Sequence, residues 1–388
     1  MRGRNILAFL KKGYGKLRQL LGRALPAALW GGLFWLIVLC MGHFFGEGSR
    51  AMARAVTGAI AFCTEKIPIP LSEVFLALAV VLVLWFLLGG AIRGKGRGFL
   101  RGLCRTAALA LWVGGAFTFL WGVQYQAPSL AEELGLSVRP RSVDELMESA
   151  MILLEQANEL ADQVPRDEDG TFLSGDFSAL SQETGAQYEK LGESYSVYGS
   201  GRVTMAKQAR VLGKLMPWVG IAGYYFPFTA EPTVGPTVST HLAYNIAHEQ
   251  AHCLGVAPED EAGFSAYLAC VNSDDLGVRY SGVINGYIYL SMLMGLLASI
   301  GTAGVPGAVL PAQQSGGRKP PPGYPGPQRL SQPVRRPGQN RGHGHQRCLP
   351  ESPEPNGRHP ELWQYGGLAH CLYTGRFGMR YLCRMMNK

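Results

Sequence analysis

His248 and His252 stand four residues apart, and Glu249 directly follows the first. On a helix, positions four apart lie one turn above one another, so both imidazoles leave the same face. That spacing suits two ligands of a tetrahedral zinc ion. Glu249 is offset from the ligand line, where it can hydrogen-bond a water held at the metal. Zinc lowers the pKa of such a water towards neutrality. Glu249 would take its proton, the hydroxide would attack a carbonyl polarised by the metal, and Glu249 would pass the proton to the leaving amine. At the His and Glu content of this chain, the pattern would arise in roughly one shuffled chain in 100.

A catalytic zinc needs a third protein ligand and an open position. Residues 238–254 read as the helix that carries the histidines, bounded by Gly255 and Pro258. The next helix opens on Glu259, Asp260 and Glu261. Acids in a first turn also suit the helix dipole without any metal. Glu261 is the expected third ligand, because it lies deeper in that helix and Ala262 beside it permits close packing; Glu259 and Asp260 are the alternatives. His241, seven residues before His248, reads as a polar residue near the helix start, with a metal role as the lesser reading.

The segment from Gly223 to Gly235 is rich in aromatic and β-branched residues and holds two prolines, which restricts it to an edge strand or a loop. Coming just before the motif helix, its residues Tyr225, Phe226, Phe228 and Thr229 are candidates for holding a substrate backbone; an aromatic loop packed on the core is the competing reading. Ser142 to Glu145 form a capping box, and apolar residues then recur at helical spacing over 143–164. Further helices are expected at about 177–194 and 203–215. The architecture expected is mainly α, with a short edge strand.

Three apolar runs precede this part, at about 25–45, 74–92 and 106–123. Each is free of Lys and Arg and close to the ~20 residues that cross a hydrocarbon core. Residues 1–24 hold seven cationic side chains and no acid, and 93–105 hold five more. The positive-inside rule therefore predicts a cytoplasmic N-terminus and, after three spans, an extracytoplasmic remainder. Three parts follow: a membrane segment, 1–124; a soluble domain, 125–300; and a tail, 301–388.

Charge divides along the same lines. Residues 1–125 carry a net +12, residues 126–300 a net −13, and residues 301–388 a net +9. No basic face with interleaved aromatics lies within a folded segment, which argues against nucleic acid as a partner. The eight cysteines form no Cys-x-x-Cys pair. Cys253 and Cys270 read as small buried residues, with a disulfide between them left open. The tail has 13 Pro and 11 Gly within 301–360 and no helical or strand period, a disordered composition. So abrupt a change of character is what a frameshift near residue 300 would produce. Translating the gene's other two frames tests this, and the absence of helical sequence in either would sink it.

Several blocks resemble the domain of unknown function 3810 family of bacterial membrane proteins. They are Tyr225-Phe226-Pro227-Phe228-Thr229, the His248–His252 motif, Glu259-Asp260-Glu261-Ala262 with Phe264, Ala266 to Cys270, and Arg279-Tyr280-Ser281-Gly282. The resemblance covers about residues 20–298. It implies N-terminal spans followed by a zincin-like domain, a metallopeptidase activity, and Glu261 as third ligand. It also implies that the apolar run 281–300, long enough to be a fourth span, is instead a helix packed in that domain. Gly263 stands where Asn is more usual and Cys253 where Gln is; neither change removes a ligand.

Two functional classes follow. One is a membrane-anchored, zinc-dependent peptidase acting on peptide or protein substrates at the extracytoplasmic side of the cell membrane. The other is a non-catalytic membrane protein in which a metal supports structure or partner binding. A structural zinc usually has four protein ligands, so a fourth ligand such as Cys253 or His241 would favour the second class.

Overall fold

The computed structural model describes residues 2–300. The expected disordered or frameshifted tail, 301–388, lies outside the described residues. The chain is mainly helical and divides into two compact units. One comprises Met1–Ala127, Lys207–Leu215 and Tyr225–Thr233; the other comprises Pro128–Ala206, Met216–Tyr224 and Val234 onward.

The first unit opens with α1 (Arg2–Leu21), α2 (Ala24–Thr64) and α3 (Leu71–Leu120). Among the described residues, three stretches are long and apolar enough to cross a membrane: Ala24–Thr64, Leu71–Ile92 and Gly96–Leu120. The first runs well past the expected end near residue 45. At 41 residues it is about 60 Å long, roughly twice the hydrocarbon core. Its backbone leaves helical geometry at Phe45, and the more polar half beyond that point carries Glu47, Arg50 and Arg54. Arg50 donates to the Gln126 carbonyl and Arg54 to the Gln124 side chain, which holds this half to the end of the third stretch.

The two stretches of α3 run back along each other. An added Cβ at Gly98 would lie 2.0 Å from the Gly90 carbonyl oxygen, and one at Gly102 would lie 2.1 Å from that of Phe86. In a straight helix residues 90 and 98 would be about 12 Å apart, so the chain reverses between Ile92 and Gly96, and only glycine permits the close approach. The third stretch also begins ten residues earlier than expected. Arg97, Arg101 and Arg105, expected in a loop, are helical because arginine is a good helix former whose long stem need not unwind to reach water. Arg101 reaches back to donate to the Gln19 and Leu20 carbonyls, closing the end of α1.

The unit also holds most of a three-stranded sheet of β1 (Lys207–Gln208), β2 (Gly223–Phe226) and β3 (Glu231–Val234), in the order β1-β3-β2. The expected helix over 203–215 is absent; the backbone there is extended at β1 and forms a single 3-10 turn over Leu212–Lys214. The cause is Lys207, whose ammonium is buried and bonded to Glu231 and to the carbonyls of Thr64 and Ile69. That contact fixes the chain against β3 and overrides local helix preference. Of the proline-bearing segment, β2 is an edge strand as expected. β3 is central and contains Pro232, which a sheet tolerates where the partner strand β1 is only two residues long.

The second unit contains α4 (Leu130–Glu133), α5 (Val143–Ala161), α6 (Phe177–Ser194), α7 (Ser196–Gly199), α8 (Ser239–Cys253), α9 (Glu259–Val271) and α10 (Leu276–Ile300). Helix α5 starts on the expected capping box, with Ser142 and Glu145 bonded reciprocally. Its apolar face, Leu146, Leu153 and Leu160, shares one core with Tyr280, Val283 and Ile284 of α10. Helix α10 also buries Asn285, which donates to the Thr240 carbonyl at the start of α8. It is therefore a packed helix of this unit, and it is not among the three membrane-length stretches. A second core unites α6, α8 and α9 around Tyr188, Ile246 and Phe264. Ala243, Ala247 and Ala251 line one side of α8, and Ala262, Ala266 and Ala269 lie on α9 in the same core. Small residues on both helices bring the two backbones close.

Candidate metal centre

Helix α8 carries His248, Glu249 and His252, all buried. The helix is held from several sides. Gln250, fully buried, donates to the carbonyls of Ser181 and Thr204 and accepts from the Thr184 hydroxyl. The Tyr188 hydroxyl donates to the Ala247 carbonyl, and Tyr244 donates to the Gly263 carbonyl on α9. Sequence reading assigned Gln250 no role. Its partners lie 46 to 69 residues away, so nothing near it in the chain announces them.

The two imidazoles meet at right angles, with ring centroids 4.9 Å apart. Glu259, the first residue of α9, closes the group. Its Oε2 lies 3.0 Å from His248 Nε2 and 3.7 Å from His252 Nε2. One ligand atom from each of the three residues falls within 4.8 Å of the others, the one such group among the described residues. The histidines form a buried floor, while the Glu259 side chain is largely exposed, so the group opens to solvent at the carboxylate. The hydrogen bonds to His248 and then His252 hold the Glu259 carboxyl well below the usual carboxylate range. Burial lowers the pKa of His248. In His252 burial acts in the same direction, but Glu259, Glu249 and the Val256 carbonyl together outweigh it and raise the value.

The expected ligand Glu261 stands elsewhere. Its Oε1 accepts the Leu130 N–H at 3.0 Å, at the first residue of α4. Burial pushes its carboxyl up to about 7, against the pull of that hydrogen bond. Two residues along a helix turn the side chain through about 200°. If Glu259 faces the histidines, Glu261 faces away from them. Asp260 is also outside the group.

Glu249 sits beneath the chain at Gly223. An added Cβ there would lie 2.5 Å from Glu249 Oε1, so only glycine fits. Glu249 Oε2 is buried and has no hydrogen-bond partner among the described residues. Burial pushes the Glu249 carboxyl up to about 8, with His252 pulling it back and Glu259 adding to the rise.

These residues could hold a metal ion, and zinc is one that such donors suit. Two imidazole nitrogens and one carboxylate oxygen are a donor set that leaves a coordination position open. The ring of His252 is oriented as a ligand needs: Nδ1 donates to the Val256 carbonyl at 2.6 Å, which turns Nε2 towards the group. The buried Oε2 of Glu249 supplies an acceptor beside the group. The two candidates for a fourth ligand are turned away. Cys253 Sγ contacts Thr204 and the Glu249 carbonyl, and burial pushes its thiol up to about 12. His241 bonds Asn285. Cys253 and Cys270 are both free, so the disulfide left open by the sequence is not formed.

The four residues expected to hold substrate belong to the first unit. Phe226 and Phe228 pack on Phe75, and Phe228 also on Phe117. Tyr225 packs on Trp121, and the Thr229 hydroxyl donates to Glu231. Each of these side chains has a packing or hydrogen-bonding task within that unit.

Fold and site together define a mainly helical protein with membrane-length apolar stretches and a His-His-Glu cluster. The chain belongs to the family described as Protein of unknown function (DUF3810), whose model matches residues 49–294. That span includes the last 16 residues of α2, all of α3 and the whole His-His-Glu cluster. No curated protein and no solved structure matches the chain.

Proposed function

We propose that the protein is a membrane-anchored, zinc-dependent metallopeptidase that hydrolyses peptide bonds on the extracytoplasmic side, with a zincin-like arrangement of α8 and α9. The observation that carries this reading is the convergence of His248, His252 and Glu259 beside a buried glutamate oxygen that has no hydrogen-bond partner among the described residues. His248, His252 and a carboxylate from the first turn of α9 would hold the metal, and the geometry favours Glu259. Zinc bound there would supply a Lewis acid that polarises a carbonyl and acidifies water. Glu249 Oε2 would accept a proton from the attacking water and deliver it to the leaving amine. The Gly223 backbone, seated on Glu249, keeps the carboxyl from rotating away, and burial excludes bulk water.

The side of the membrane rests on two supports. The basic flanks put the N-terminus in the cytoplasm. Residues 207–212 and 229–231 bond to the turn joining α2 and α3, so they share the side reached after the first span.

The test is hydrolysis of a quenched fluorescent peptide library by the full-length protein in nanodiscs, beside Glu249→Gln and His252→Ala. The reading expects cleavage by the parent, loss of cleavage with zinc retained in Glu249→Gln, and loss of both in His252→Ala. Cleavage that survives Glu249→Gln would refute the assigned role.

A further inference from the structure

The segment from Arg210 to Ile221 is unusual for what it leaves uncovered. Val211 is 68% exposed, Leu215 is 59% and Trp218 is 88%; Val219 and Ile221 are also exposed. Large apolar side chains crowded into one short irregular segment need an apolar partner. The position of this segment identifies the partner. Glu73 lies in the first turn of the stretch Leu71–Ile92. That stretch has 22 residues, hence a length of about 33 Å, which matches one hydrocarbon core. Its first turn therefore lies at a bilayer surface. The Glu73 carboxylate accepts the backbone N–H groups of Arg210, Val211 and Leu212, at 2.9 to 3.0 Å. Three bonds to one carboxylate fix the start of the segment at the level where the span enters the lipid. Trp218 follows Leu215 by three residues, a reach of about 10 Å at most.

We propose that residues 211–221 form an interfacial membrane contact, dipping Val211, Leu215, Trp218 and Val219 into the headgroup region of the same bilayer that holds the spans. Composition supports this occupant over a protein partner. Tryptophan is the side chain enriched at membrane–water boundaries. Arg210 and Lys214, both exposed, stand among the apolar residues where cations meet lipid phosphates. The contact does not depend on the metal reading of α8, and its failure would leave that reading untouched.

The experiment is difference fluorescence on the full-length protein reconstituted in phosphatidylcholine vesicles. Emission of the parent minus that of Trp218→Phe isolates the Trp218 signal. A residue so exposed tolerates phenylalanine, and circular dichroism and thermal unfolding of the two proteins confirm matching folds. The proposal expects lipids brominated near the glycerol end of their acyl chains to remove most of the Trp218 signal, while aqueous iodide removes little. Quenching by iodide and not by bromolipid would overturn it, placing the residue in water. Protection from both would also overturn it, placing the residue under protein, either a second copy or another chain.

Discussion

Glu231 and Glu249 are both buried glutamates, 1% and 5% exposed, and they lie in different units of the molecule. Around Glu231 every demand is met. Lys207 donates to one oxygen, and the Ser72 N–H and Thr229 hydroxyl donate to the other. The remaining Lys207 donors go to the Thr64 and Ile69 carbonyls. Around Glu249 one oxygen is left without a hydrogen-bond partner among the described residues, and the charged neighbours are the His252 imidazole and the Glu259 carboxylate. Burying a charge costs several kcal/mol unless it is paired and hydrogen-bonded. The first cluster is what a fold does when the charge serves structure. The second leaves a buried carboxyl oxygen unsatisfied among the described residues, a feature that concentrates at functional sites.

Substitutions can break or sharpen that contrast. Glu249→Gln carries the largest expected effect. It should lower peptide hydrolysis by about two to four orders of magnitude while leaving thermal stability unchanged or slightly raised, because it removes a buried carboxyl with an oxygen unsatisfied among the described residues. Lys207→Met should do the reverse. It strands the Glu231 carboxylate and should cost about 3–5 kcal/mol, read as a lowered denaturation midpoint in detergent, with zinc content unchanged in the folded fraction. If Lys207→Met is harmless, or Glu249→Gln destabilises, the two clusters are not different in kind. Gly223→Ala comes next. Its methyl group would meet the Glu249 carboxyl, and overpacking of this kind costs about 1–3 kcal/mol; the expected result is reduced hydrolysis with zinc retained. Glu259→Ala and Glu261→Ala then separate the two candidate third ligands. Zinc should weaken in the first and persist in the second, and the opposite order would give the third place to Glu261. Ser142→Ala has the smallest effect, about 1 kcal/mol from the lost cap of α5, with no change at the metal centre.

The cap carries its own pH signature. Hydrogen bonds from Arg139 and then the Ser142 N–H lower the exposed Glu145 carboxyl to about 2. A depressed carboxylate stabilises the fold above its unfolded value of about 4.3 and loses that contribution as the pH falls towards 2. Acid titration of Arg139→Ala beside the parent should show a smaller change over that window, because it removes the largest cause of the shift.

Local signals were legible in the sequence. The capping box, the periodicity of α5, the bounds of α8 and the three apolar runs rest on residues within a turn or two of one another, and all appear in the structure. The structure departs from the sequence expectations where partners are distant. Residues 203–215 read as a helix because nothing near Lys207 says that Glu231 and the end of α2 will bind it. Depth in a helix points to Glu261 as the third ligand, but it does not say which face of α9 meets α8; in the structure its carboxylate accepts the Leu130 N–H, 131 residues away, while Glu259 stands beside the histidines. The reversal within α3 was visible only as glycines at 90, 98 and 102 in an apolar, basic-flanked stretch, a pattern also compatible with a longer loop.

The central claim is that α8 and α9 build a metal site, and metal content tests it most directly. Full-length protein purified without chelator should carry about one zinc per chain, as expected for a single site of three protein ligands, and His248→Ala and His252→Ala should each lose it while keeping the parent's circular dichroism. Parent protein that holds no zinc after exposure to the ion would contradict the account.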